Sequence, residues 1–230
     1  MNNQAPKQKK LAALRAVEYI KNGMVLGFGT GSTTRYAIDK IGELINNGTL
    51  KNIVGIPSSK QTEELAKQLN IPLTTLENHP VIDLTIDGAD EVDAYLNLIK
   101  GGGGALLREK ILAQASKRLV VIVDETKLSP KLGMKWAIPI EVVEFGWKPA
   151  FNFLESMGAK VNIRKTKNSN IFKTDEGNII LDADFGPIEN VAEMAGKLNQ
   201  QAAIVENGLF VGLASEVIVA GIDGIRHLKK

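Results

Sequence analysis

In the stretch QKKLAALRAVEYIK (residues 8–21), apolar side chains recur at 11, 14, 17 and 20, with 13 alongside, which is the spacing of one helix face. Asn22-Gly23 stops that helix, and a short continuous apolar run, MVLGFGTG, follows. Four more runs of this kind recur: NIVGIPSS from 52, VIDLTIDG from 81, LNLIKG from 96 and RLVVIVDE from 118. Continuous rather than alternating hydrophobicity marks strands covered on both faces, as in a parallel sheet. Between them, TTRYAIDKIGELINN and KQTEELAKQLN carry helical spacing. Strands alternating with helices predict an open, doubly wound, mostly parallel α/β sheet of Rossmann-like build.

From about residue 131 the rhythm changes. AIPIEVVEF reads as a strand and WKPAFNFLESMG as a short helix with Pro149 near its start, where proline is tolerated. AKVNIRKT is a strand, IFKT a short edge piece before an Asp-Glu-Gly-Asn turn, and NIILDADF a further strand. IENVAEMAGKLNQ then reads as a helix and AAIVENGLF as a last strand. This order, βαββαβ, predicts a small α+β domain of ferredoxin-like type over 131–207. The closing segment GLASEVIVAGIDGIRHLKK is predicted as a helix returning to the first domain, which then comprises 1–130 and 208–230.

Composition narrows the chemistry more than the fold. With 230 residues, the chain holds about one and a half domains of typical size and needs no disulfide or metal staple. There is no cysteine, so thiol nucleophiles, thiolate zinc sites and iron–sulfur clusters are excluded. The only histidines are His79, in Asn-His-Pro, and His227, near the end, which leaves little room for a Ser-His-Asp triad or a multi-histidine metal site. Proton chemistry must come from carboxylates, lysines or hydroxyls. No apolar run approaches the 18 residues of a membrane span, and the opening residues lack a signal-peptide core, so a cytoplasmic protein is expected. The first 21 residues carry five Lys/Arg against one Glu, yet the net charge is only +2 and no recognition motif accompanies them, so no nucleic-acid partner is expected.

Ligands of a doubly wound sheet collect at the carboxyl ends of its strands. The first run delivers Gly29-Thr30-Gly31-Ser32-Thr33-Thr34 into a helix, the third Asp87-Gly88-Ala89-Asp90-Glu91-Val92-Asp93, the fourth Lys100 and Gly101 to Gly104, and the fifth Asp124-Glu125-Thr126-Lys127. The first loop lacks the third glycine and the later acidic residue of a dinucleotide site, and it lacks the Gly-Lys-Ser/Thr ending of a nucleoside-triphosphate loop. Bare backbone N–H groups, a helix N-terminus and three hydroxyls suit a single phosphate group; a tight turn capped by Ser32 or Thr33 is the plainer reading. The acidic loop does not continue as a calcium-binding pattern, so carboxylates near Lys100 fit sugar hydroxyls or proton transfer. Four consecutive glycines disfavour a regular element and let backbone approach a ligand. Glu109 falls off the Leu107/Ile111/Ala115 face, and periodicity reads it as a solvated helix glutamate.

These motifs together resemble the ribose-5-phosphate isomerase A family. The resemblance rests on GTGST at 29–33, DGADEVD at 87–93, IKGGGGALLREKI at 99–111, VDETK at 123–127, IPIEVV at 138–143 and DADFGPI at 182–188, and so covers essentially the whole chain. It implies interconversion of D-ribose 5-phosphate and D-ribulose 5-phosphate through an enediolate, in a cytoplasmic homodimer, with neither metal nor organic cofactor. By motif, Glu109 would be the base, while Asp87, Asp90 and Lys100 would contact the sugar, assist ring opening and stabilise the enediolate. Thr30, Gly31, Ser32 and Thr33, with Lys127 and Lys9, would frame the substrate and its phosphate; Gly88, Ala89, Gly101, Gly102 and Gly103 belong to the same substrate-binding set. The chain departs from the family at Thr34, where alanine is common, at Thr126, where serine is common, and at Glu144, where proline is expected.

The alternative is a non-catalytic sugar-phosphate sensor on a related fold, but the roughly 20 residues before the first strand are too short for a helix-turn-helix module. An amino-sugar-phosphate deaminase or an acyl-coenzyme A transferase can share the sheet type, but deaminases of that kind lean on an active-site histidine and neither histidine lies near the rim motifs. A purely structural sugar-binding module leaves the lysine and carboxylate clustering unexplained.

Overall fold

The computed structural model describes residues 4–229. In chain order its elements are α1 (Gln4–Val17), β1 (Val25–Phe28), α2 (Ser32–Asn46), β2 (Val54–Pro57), α3 (Lys60–Gln68), β3 (Leu84–Asp87), β4 (Glu91–Val92), β5 (Leu98–Ile99), α4 (Leu106–Ala115) and β6 (Leu119–Asp124). There follow β7 (Ile138–Val142), α5 (Trp147–Ser156), β8 (Lys160–Ile163), β9 (Ile179–Asp184), α6 (Val191–Leu198), β10 (Ile204–Asn207), β11 (Leu209–Phe210), β12 (Glu216–Gly221) and β13 (Gly224–Lys229). They form two compact units. The first runs up to Ala89 and adds Arg108–Lys127 and the stretch from Leu213; the second joins Asp90–Leu107 to Leu128–Gly212. Residues 90–107, expected in the sheet domain, thus group with the second unit. Among the described residues no helix is long and apolar enough to cross a membrane.

The first unit holds a six-stranded sheet in the order β13-β12-β6-β3-β1-β2, parallel throughout except for the β12–β13 pair. On one face Leu26, Phe28, Leu84, Ile86, Val120 and Ile122 pack with Ala12, Ala13 and Ala16 of α1 and with Ile38 and Ile41 of α2. On the other, Ile56 and Ile82 meet Leu112 of α4. Cover on both faces is what makes these strands read as continuous apolar runs. Helix α1 ends at Val17 rather than at 21, in a tight turn that sets the Tyr19 and Ile20 N–H groups on the Ala16 and Val17 carbonyls. Its buried stripe is alanine, which admits close helix packing, and Leu11 is 38 % exposed.

The C-terminal helix is corrected: the segment is a hairpin, β12 and β13, turning through Ile222-Asp223 with Gly224 at φ 106°. Val217, Ile218 and Val219 are β-branched and fully buried, and β12 lies parallel to β6 as an interior strand. The Asp-Gly dipeptide was the turn signal within it.

In the second unit, β7, α5, β8, β9, α6 and β10 do follow one another as βαββαβ, and the four strands form an antiparallel sheet in the order β10-β7-β9-β8. Leu154 and Leu198 from its helices are buried with Ile140, Val142 and Leu181. The IFKT piece makes only isolated bridges, Lys165 to Ile171 and Lys173 to Ile179. The run LNLIKG is a second correction. Its two-residue strand β5 sits between β4 and β11 in a small antiparallel sheet of this unit, not in the parallel sheet. Leu98 and Ile99 are wholly buried, so the run looked continuous for a different reason.

The N-terminal helix and C-terminal hairpin are joined through Glu216, which is 1 % exposed. Its carboxylate accepts from Tyr19 Oη at 2.9 Å, from His227 Nδ1 at 2.6 Å and from Arg118 Nη2 at 2.5 Å. Arg15 Nε donates to His227 Nε2 at 3.3 Å, which assigns the His227 proton to Nδ1, facing Glu216. Burial pushes the Glu216 carboxyl up, but the bonds from His227, Tyr19 and Arg118 outweigh it and hold its pKa below the ordinary glutamate value. A lowered pKa means that this contribution to stability is present above the unfolded pKa and lost as pH falls through the folded one. Glu216→Gln is expected to cost about 2 kcal/mol at neutral pH, from charge-assisted bonds lost in a buried site. Urea denaturation across the acid range reads this as a lower midpoint and a flatter dependence on pH than in the parent.

Candidate active site

The parallel sheet of the first unit sends β1, β2, β3 and β6 to one edge, and there the chain leaves β1 through Gly29–Gly31 into α2. Gly31 stands at the helix N-terminus with φ 123°, a conformation suited to glycine, and no side chain caps the first turn. The capped-turn reading therefore fails, since Ser32 turns outward and accepts from Lys9 Nζ at 3.1 Å. Two of the expected phosphate-framing residues are thus in direct contact, beside the helix N–H groups. A cleft of about 420 Å³ borders the loop, lined among others by Gly29, Gly31, Ser32 and Thr62. Thr33 is partly exposed in the same turn, and Lys127 is half-buried at the end of the short 3₁₀ turn after β6.

Thr30 points the other way. Its hydroxyl lies 2.8 Å from Ser58 Oγ and donates to Ser59 Oγ at 2.8 Å, and Thr62 Oγ1 donates to the Gly29 carbonyl at 3.0 Å. Ser59 also caps α3 by accepting from the Thr62 N–H at 3.1 Å. This hydroxyl cluster ties the β1 and β2 loops together. Sequence reasoning passed over Ser58, Ser59 and Thr62; the Ser-Ser pair closing NIVGIPSS was the available signal.

The acidic loop resolves its own repulsion by giving each carboxylate separate donors. Asp87, at the end of β3 and 1 % exposed, accepts from the Gly88 N–H at 2.7 Å. It packs on Gly29 so tightly that a Cβ there would lie 1.9 Å from Asp87 Oδ1. Ala89 ends this stretch of the first unit, and Asp90 begins the second. Asp90 Oδ2 accepts from the Gly102 N–H at 2.7 Å. Glu91 is fully buried and takes the Gly133, Lys135 and Trp136 N–H groups at 3.0, 3.3 and 3.2 Å, while Asp93 takes those of Tyr95 and Asn97, both at 2.8 Å. The carboxylates of Glu91 and Asp93 are thus taken up by backbone N–H groups of the neighbouring chain.

Lys100 follows β5 in the small antiparallel sheet and is 2 % exposed. Its N–H donates to the Gly208 carbonyl at 2.9 Å, and its ammonium stands 5.4 Å from the centre of the Phe210 ring. The glycines then turn sharply: Gly101 and Gly104 have φ 100° and 85°, the Gly104 N–H donates to the Gly101 carbonyl at 2.9 Å, and Gly102 and Gly103 are exposed. The loop feeds α4, which carries Glu109. That glutamate is 4 % exposed whereas Ile111 is 41 % exposed, so the solvated reading is corrected. The buried face of this helix is Leu106, Glu109, Lys110, Leu112 and Ala113, and because two of these are charged while Ile111 is exposed, apolar periodicity does not trace it. Withdrawing a carboxylate or an ammonium from water is costly, and such groups mark sites where charge is put to use.

Of the expected residues, Lys9, Thr30–Thr33, Asp87, Gly88, Ala89, Glu109 and Lys127 lie in the first unit, and Asp90, Lys100 and Gly101–Gly103 in the second. Among the described residues no group of three or more His, Asp or Glu side chains is disposed to hold a metal ion.

A family model described as ribose 5-phosphate isomerase A (phosphoriboisomerase A) matches residues 54–224. The ribose-5-phosphate isomerase A of Desulfatibacillum aliphaticivorans is 58% identical over 221 residues, covering 96% of this chain and 96% of its own. A solved D-ribose-5-phosphate isomerase in complex with phospho-erythronic acid superposes with TM-score 0.96 at 41% identity, with 100% of each chain covered. Ribose 5-phosphate isomerase from Plasmodium falciparum gives TM-score 0.95 at 42% identity over 98% of this chain and 99% of its own.

Proposed function

The chain belongs to the ribose 5-phosphate isomerase A family and so interconverts D-ribose 5-phosphate and D-ribulose 5-phosphate; we propose that Glu109 is the base carrying the proton between C1 and C2. Glu109 takes the C2 proton of the open-chain aldose, and the electron pair forms a C1–C2 double bond with charge left on O1. The Lys100 ammonium balances that charge. After the hydroxyl proton passes from O2 to O1, the Glu109 carboxylic acid returns its proton to C1. A preorganised donor of this kind supplies roughly 3–4 kcal/mol at a developing oxyanion. Asp87 and Asp90 hold the sugar hydroxyls and assist ring opening, and Gly88, Ala89 and Gly101–Gly103 bring backbone up to the sugar. Gly31, Ser32 and Thr33, with the backbone of Thr30, frame the phosphate with Lys9 and Lys127, and binding of this remote group positions the reacting carbons.

The observation that carries this reading is the near-complete burial of Glu109, 4 % exposed, within the IKGGGGALLREKI motif. The route uses carboxylates, a lysine and hydroxyls and calls for no metal or organic cofactor. In the same reading the chain works as a homodimer in the cytoplasm, without a nucleic-acid or membrane partner, and sedimentation velocity tests the dimer. In heavy water, NMR is expected to show deuterium replacing the C2 hydrogen of ribose 5-phosphate as ribulose 5-phosphate forms. Ribulose 5-phosphate without solvent deuterium at C1, together with remaining ribose 5-phosphate without it at C2, would overturn the proton shuttle.

A further inference from the structure

Four consecutive glycines cannot hold their own shape, and in this molecule the shape is imposed from the four-stranded sheet of the second unit, chiefly by one side chain. Arg164 follows β8 and is anchored at both ends. Its N–H donates to the Ile180 carbonyl at 2.8 Å, and its own carbonyl accepts from the Phe172 N–H at 2.9 Å. Its guanidinium forks onto Asp182 of β9, Nε to Oδ2 at 3.0 Å and Nη2 to Oδ1. This leaves Nη1 aimed at the glycine turn, where it donates to the Gly101 carbonyl at 2.6 Å and the Gly102 carbonyl at 3.2 Å. The Phe172 ring closes the same turn, since a Cβ on Gly104 would lie 2.4 Å from Phe172 Cζ.

Three hydrogen-bonded links then run in series within the second unit. Asp182 fixes the guanidinium plane, the guanidinium fixes the Gly101 and Gly102 carbonyls, and the Gly102 N–H fixes Asp90 Oδ2 at 2.7 Å. The Gly101 carbonyl also receives the Gly104 N–H at 2.9 Å, so both of its lone pairs are used. Lys100 directly precedes this turn. We propose that Arg164, held by Asp182, is a positioning residue for catalysis, locking the glycine turn so that the Asp90 carboxylate and the Lys100 ammonium are presented in one fixed orientation. The proposal rests on the reading of Asp90 and Lys100 as substrate-binding residues. A lysine cannot replace the arginine, because one ammonium does not span the carboxylate fork and two carbonyls at once.

Steady-state kinetics with ribose 5-phosphate on Arg164→Ala, Arg164→Lys and Asp182→Asn, with melting temperatures, tests it. Misplacing reacting groups by about 1 Å costs on the order of 10²-fold, so Arg164→Ala is expected to lose about 10- to 100-fold in kcat/KM through both kcat and KM. Arg164→Lys should fall well below the parent, and Asp182→Asn should lose less than Arg164→Ala. Millimolar guanidinium chloride should partly restore Arg164→Ala, with equal sodium chloride restoring nothing. Activity of Arg164→Ala within threefold of the parent overturns the proposal. So does a loss that follows the melting temperature and is untouched by guanidinium. Lys100→Ala in the same assay separates the two readings: if it is inactive while Arg164→Ala is normal, only the positioning role falls; if it is fully active, the site reading falls.

Discussion

Glu109→Gln is expected to lower kcat by about 10²-fold or more while leaving KM for ribose 5-phosphate nearly unchanged, the loss typical of removing a positioned general base. The amide keeps the size of the carboxyl and cannot accept the carbon-bound proton. The melting temperature is expected to hold or rise, because the parent keeps a carboxylate at 4 % exposure and bears its desolvation cost. Opposite movements of activity and stability separate a catalytic glutamate from a structural one, whose replacement would lower both. Solvent deuterium exchange at C2 should vanish with turnover, since proton removal is the step taken away. An unchanged exchange rate in the variant would show that another group takes the proton.

The parallel sheet was legible because its strands are covered on both faces, and such strands write continuous apolar runs into the chain. The same signal misled at LNLIKG, where β5 is just as buried but pairs antiparallel in the second unit. Hydrophobicity reports burial and is silent about the partner. At the C-terminus, three β-branched residues and an Asp-Gly turn outweighed the helical reading, and β12 became an interior strand. The rim motifs were legible as glycines, hydroxyls and charges at strand ends. Their division of labour was not. That Glu91 serves the scaffold, or that Thr30 turns toward Ser58 and Ser59, depends on N–H and hydroxyl groups far along the chain. Arg164 lay outside every motif considered, because its value comes from carbonyl oxygens 62 and 63 residues away.

Gly29→Ala is expected to lower kcat/KM on the order of 10²-fold, although the substitution adds only one methyl group and neither adds nor removes a charge. That methyl would stand 1.9 Å from Asp87 Oδ1, 2.1 Å from its Cγ and 2.6 Å from its Cβ. Asp87 has a short side chain and cannot swing its far end aside, so the whole carboxyl must leave its place. Gly29 cannot retreat either. Its N–H is bonded to the Ile86 carbonyl at 3.0 Å, and its carbonyl is bonded by Thr62 Oγ1 at 3.0 Å. Overpacking of this kind costs about 1–3 kcal/mol of stability, which urea denaturation reads independently of turnover. Gly196→Ala supplies the contrast: it lies inside α6 with nothing within 4 Å of a Cβ, so it should stabilise by about 0.5–1 kcal/mol and leave kinetics alone. The same one-carbon change thus acts in opposite directions at two glycines, and the difference is the Asp87 carboxylate. Parent-like kcat/KM in Gly29→Ala would show that the place of Asp87 against β1 is immaterial to the reaction.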